Sequence, residues 1–163
     1  MTTIPAPKLR LLTSALPFWM SLLLVPLVWI TAVYGGWTLV ILPLTTWYLF
    51  SILDYFTGLN KENADPQTAD ADLFWYRAIT IIWVPLQVVT LFGLLWYLKA
   101  TDHLALWEEW IMMGGFGVLS GTVGINYSHE LMHQKPKWER WLADILLASV
   151  LYSHFRSEHL LVH

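Results

Sequence analysis

The chain of 163 residues is 56% hydrophobic and only 13% charged, with 11 tryptophans. Soluble domains carry roughly 25% charged residues, so this composition belongs to a membrane protein. A formal charge of −3 gives no basic surface for nucleic acid, and the lack of cysteine excludes disulfides, iron–sulfur clusters and thiolate-held zinc. At this length the chain makes at most one domain, here a single integral-membrane domain over residues 1–163.

Lys8 and Arg10 precede an apolar run over 11–34. That run exceeds the ~7–15 residues of a secretory h-region, which predicts a retained anchor. No charged residue occurs between Arg10 and Asp54. A span needs about 20 residues, so this interval predicts two spans, 11–34 and 37–56, reversing at Gly35-Gly36. A polar loop over 57–76 follows. The charge-free run 78–98 predicts a third span kinked at Pro85, and the net acidic stretch 99–109 a short loop. Residues 110–128 predict a fourth span, whose glycines suit close helix packing. The stretch 138–150 reads as a helix with one apolar face, re-entrant or half-buried. The fold class is therefore all-α, a polytopic transmembrane helical bundle with about four spans. Basic residues concentrate in the N-terminal tail, in the middle loop and at Lys135, Lys137 and Arg140. The positive-inside rule then places the N-terminus and everything after the fourth span on the cytoplasmic side.

Five of the six histidines fall between His129 and His163, in two clusters. His129 and His133 are four apart, as are His154 and Glu158, and His159 and His163. On a helix that spacing puts two side chains on one face, one turn apart. Histidine near a bilayer is costly unless it is paired or metal-bound. Two pairs, with Glu130 and Glu158 adjoining, predict a metal site held by imidazole, which suits zinc, copper, iron or nickel. His103, alone in the acidic loop, is expected to have no such role. His129-Glu130-Leu131-Met132-His133 also fits the H-E-x-x-H pattern of zinc metalloproteases, in which the glutamate serves as general base. A membrane zinc protease, and a non-enzymatic protein that binds or transports metal, stay open on spacing alone.

A glycine-rich span, then Asn126-Tyr-Ser-His129-Glu-Leu-Met-His133, then Tyr152-Ser-His154-Phe-Arg-Ser-Glu158-His159-Leu-Leu-Val-His163, is similar to the alkane 1-monooxygenases. These are the integral-membrane alkane hydroxylases within the fatty acid desaturase and xylene monooxygenase group. The resemblance implies six membrane helices in the bacterial inner (plasma) membrane, of which this chain carries the N-terminal part. It implies two non-haem iron ions held by three histidine boxes, and O2 as co-substrate. Rubredoxin and rubredoxin reductase would supply electrons, and a medium-chain alkane would be hydroxylated at its terminal carbon. A desaturase or another hydroxylase of the same group is the neighbouring alternative. The first box falls on His129 and His133, and the second on Glu158, His159 and His163, so the implied metal ligands are His129, His133, His159 and His163. Asp54, Glu130, His154 and Glu158 are expected beside those ligands, orienting them or lining the pocket. Val162 stands where the family pattern has glycine, and Gln134 where lysine is common. The chain ends inside the second box, before the third, so the 163 residues alone are expected to be inactive.

Overall fold

The computed structural model describes residues 15–49, 52, 55 and 73–162. Among these residues all regular structure is helical. The N-terminal tail, the rest of the 37–56 run and the polar loop before Leu73 lie outside the described residues.

Helix α1, Ala15–Tyr34, is 20 residues long. At 1.5 Å per residue it reaches about 30 Å, the thickness of a hydrocarbon core. Its turn Met20–Leu23 is 3-10. Pro26 follows within one turn and has no N–H to give the carbonyl four residues back, so the ladder tightens there. The chain reverses at Gly35 and Gly36, both with positive φ (61° and 56°), as the glycine pair predicts. A Cβ on Gly35 would lie 2.6 Å from Leu104 Cδ2, so the close approach of the 101–105 loop also requires glycine. The path then runs through a 3-10 segment Gly36–Val40, an α segment Ile41–Leu44 and a π segment Thr45–Leu49, together α2.

Helix α3, Phe74–Ala100, is 27 residues long and contains Pro85. With α1 it is one of two described helices long and apolar enough to cross a membrane. The predicted fourth span is a composite: α4, Leu106–Leu119, a π segment Ser120–Gly124, and α5, Ile125–Met132. Its hydroxyls explain part of the break. Ser120 Oγ donates to Phe116 O and Thr122 Oγ1 to Val118 O, and such back-bonding competes with the helix ladder. Asn126 Nδ2 donates to Thr122 O at 2.7 Å. Helix α6, Lys137–Ser149, and α7, Phe155–Val162, are the last of the described elements.

The core lies where α1, α2, α3, α4 and α6 meet, around Val28, Leu42, Trp83, Phe116 and Leu147, all buried. Tyr127 on α5 and Trp83 meet in a T-shaped ring contact. Glu108 stitches the end opposite the histidines. Its carboxylate accepts from Ala105 N–H (2.8 Å), capping α4, and from Gly36 N–H (2.7 Å), fastening the glycine turn. Exposed Trp37, Trp96, Trp107 and Trp110 gather at that end, as interfacial tryptophans do.

Candidate metal centre

Helix α5 carries His129 and ends one turn later at its C-cap, His133, and the two ring centroids are 4.8 Å from each other. A turn at 133–136 sends the chain back as α6, which packs antiparallel on α5. Ser128 Oγ donates to Ala143 O across that contact. Arg140 donates to the carbonyls of Gln134 and Lys135, using the acceptors that the end of α5 leaves open.

Helix α6 ends in a paired bond pattern, Tyr152 N to Leu147 O and Leu151 N to Ala148 O, with Leu151 left-handed at φ 57°. The turn delivers α7, which an ion pair between Arg156 and Asp144 anchors to α6. Tyr152 stacks on Phe155 (5.3 Å, 20°), and Phe155 stacks on His159 (5.2 Å, 24°). That stack presents His159 to the first pair.

The outcome is a three-imidazole cluster. His133 Nε2 lies 3.2 Å from His159 Nε2, and one ligand atom from each of His129, His133 and His159 lies within 4.8 Å of the others. Two nitrogens bound at about 2.1 Å to one tetrahedral ion are about 3.4 Å apart, so the donor set fits an imidazole-loving divalent metal. His129 and His159 are half-buried and His133 is exposed.

Of the other expected residues, Glu130 is exposed, with Oε1 3.4 Å from His129 Nδ1. His154 is exposed and meets the edge of Tyr152 at 4.7 Å, two rings away from His159 along the stack. Glu158 is exposed on α7. Asp54 and His163 lie outside the described residues. His103 sits in the loop at the far end, against Ala32 O and Tyr97.

The structure adds residues that sequence reasoning passed over. Glu139, fully buried, holds Arg77 through both carboxylate oxygens, with Arg77 Nε donating to Oε2 at 2.8 Å. A cavity of about 750 Å³ lies between α1, α3 and the 120–134 stretch and has His129, Glu130 and Gln134 in its lining. Ser21, Thr46, Thr80 and Thr122 all line it. Each turns its hydroxyl onto a carbonyl of its own helix at 2.8 Å. Arg77, Asn126, Glu130 and Gln134 also line it.

The chain is 31% identical over 121 residues to an alkane 1-monooxygenase of Pseudomonas putida, covering 72% of this chain and 30% of that protein. It is 32% identical over 122 residues to that of Ectopseudomonas oleovorans (72% and 30%). It is 30% identical over 129 residues to alkane 1-monooxygenase 1 of Alcanivorax borkumensis (76% and 31%). The chain is alkane 1-monooxygenase-like. It spans about 30% of the length of these curated relatives. No family model and no solved structure matches it. Against the alkane 1-monooxygenase likeness, the three-imidazole cluster and the cavity are the features with chemistry to offer.

Proposed function

We propose that the protein is a membrane-bound non-haem di-iron monooxygenase that hydroxylates the terminal carbon of medium-chain alkanes. The observation that carries this reading is the cavity that has His129 in its wall, with its serine and threonine hydroxyls turned onto their own helices. An alkane offers no polar handle, so shape and dryness must hold it and aim one end at the reacting centre. Phe18, Ile79 and Val123 supply apolar wall, and Tyr127 closes between α1 and α5 with its hydroxyl bonded to Ser21 Oγ at 2.9 Å.

His129, His133 and His159, with His163, would hold iron. When bound, iron supplies the O2 and electron chemistry that side chains cannot. The protein's own part is positioning. Phe155 orients the His159 ring, the apolar wall excludes water, and the cavity sets which carbon of the chain reaches the histidines.

The reading extends to electrons from rubredoxin and rubredoxin reductase, and to four membrane crossings by α1, the 37–56 run, α3 and the α4–α5 path. In that arrangement the N-terminus and the histidines face the cytoplasm. Lys135, Lys137 and Arg140 beside the cluster, and the exposed tryptophans at the opposite end, support this orientation.

The test is the intact protein in nanodiscs, loaded with ferrous iron and supplied with NADH, rubredoxin reductase, rubredoxin and octane. Iron-dependent 1-octanol, abolished by His133→Ala, is expected. A preparation that retains zinc in preference to iron, or that forms no alcohol from any n-alkane, would overturn the reading.

A further inference from the structure

We propose that Gln87 is a positioning residue for the histidine cluster. It fixes the spacing between the arm that carries His129 and His133 and the arm that leads to His159. The proposal rests on reading the three imidazoles as a metal site.

Helices α3 and α6 are fastened twice at the same offset: Arg77 to Glu139, and Gln87 to Ser149, each pair 62 residues apart in sequence. Equal offsets mean that the helices run parallel, with clasps ten residues, or about 15 Å, apart. The first clasp is an ion pair at the start of both helices. The second stands in the middle of a long apolar helix, where Gln87 is 2% exposed.

Gln87 is held from three sides. Its Oε1 accepts from Trp83 Nε1 at 2.7 Å, and its Nε2 donates to Ser149 Oγ at 2.8 Å. Ser149 Oγ in turn donates to Leu146 O at 2.7 Å. On the third side stands Gly124, where a Cβ would lie 2.4 Å from Gln87 Oε1 and 2.9 Å from Nε2. Gly124 closes the π segment five residues before His129. Ser149 closes α6 ten residues before His159. One amide therefore touches both arms upstream of their histidines, and the indole it bonds makes a T-shaped contact with Tyr127, two residues from His129. Away from water these bonds have no ready substitute, so losing one frees an arm rather than exchanging a partner.

The chain has no cysteine, so spin labels at Lys135→Cys and Ser157→Cys report the separation of the turn after His133 from α7 by pulsed electron resonance. Co(II) affinity, by chelator competition in nanodiscs, reports the cluster. Ser149→Ala and Gln87→Met are compared with Thr90→Val, a buried polar change on α3 outside the clasp. Both clasp variants are expected to broaden the label distance distribution and weaken Co(II) binding tenfold or more. Thr90→Val is expected to change neither, whatever it does to the melting temperature. Clasp variants that keep the parent distribution and bind Co(II) within twofold of it overturn the proposal. Should the parent bind no Co(II), the metal reading falls by itself. The label distances then decide alone, an unchanged distribution overturning the positioning role and a broadened one upholding the spacing of the arms.

Discussion

Replacing Arg77 by methionine strands a carboxylate that is 0% exposed, whereas replacing Glu139 leaves a guanidinium with 32% of its side chain exposed. The two halves of one ion pair should therefore cost very different amounts. Removing one partner of a buried pair costs about 3–5 kcal/mol. Arg77→Met should thus lose about 3–4 kcal/mol at pH 7. Glu139→Gln should lose about 1–2 kcal/mol, because its amide still accepts a hydrogen bond and the arginine reaches water. The double replacement Arg77→Met with Glu139→Leu should be within about 1 kcal/mol of the parent, since an apolar pair removes the desolvation cost as well. Reversible unfolding in mixed SDS micelles at pH 7, followed by tryptophan fluorescence, measures all four proteins. An Arg77→Met penalty below about 1 kcal/mol, or one no larger than that of Glu139→Gln, would refute the reasoning.

At the cluster, His133→Ala should lower metal affinity at least a hundredfold while His154→Ala lowers it less than threefold, measured by chelator competition; equal losses would place His154 among the ligands. Backbone N–H groups of Ala105 and then Gly36 hold the Glu108 carboxyl below its ordinary 4.5. A carboxylate with a depressed native pKa stabilises above its unfolded value and loses that contribution as pH falls through the native one. Glu108→Gln should therefore lower the melting temperature at pH 7, and the gap should close as pH falls below 4.5; a gap that persists in acid would contradict this. Leu151 is 91% exposed and left-handed at φ 57°. Leu151→Gly should therefore raise stability by about 1 kcal/mol in the same SDS titration, and a loss would mean that its side chain is held by something outside the chain.

The sequence is most readable where one local rule acts alone. The reversal at Gly35-Gly36 lies where two adjacent glycines interrupt an apolar run, and the 74–100 helix follows from a long charge-free stretch. The fourth predicted span shows where that stops. Absence of charge says apolar, not how the ladder is closed, and the π segment Ser120–Gly124 depends on hydroxyl back-bonds and on room left for Gln87 by Gly124. Hydropathy contains neither. The first histidine pair was legible because four residues of spacing fix its geometry within one helix turn.

The third imidazole is a different kind of problem. His154, His159 and His163 all lie within one short stretch, and spacing pairs His159 with His163 as readily as His129 with His133. The cluster takes its shape instead from a stack, Tyr152 on Phe155 on His159, and from the ion pair between Arg156 and Asp144 that sets the angle of α7. Apart from His159 itself, and Asp144 whose carboxylate is taken up by Arg156, these residues offer no donor that a metal would prefer, so a search for ligands passes over them. The same is true of Gln87, although it is the one amide in an otherwise apolar span, and such residues in a membrane helix mark a contact that matters. Residues that bind metal announce themselves by side-chain chemistry. Residues that bring the binders together do so through shape, and in this chain they are an aromatic pair, a glycine and an amide.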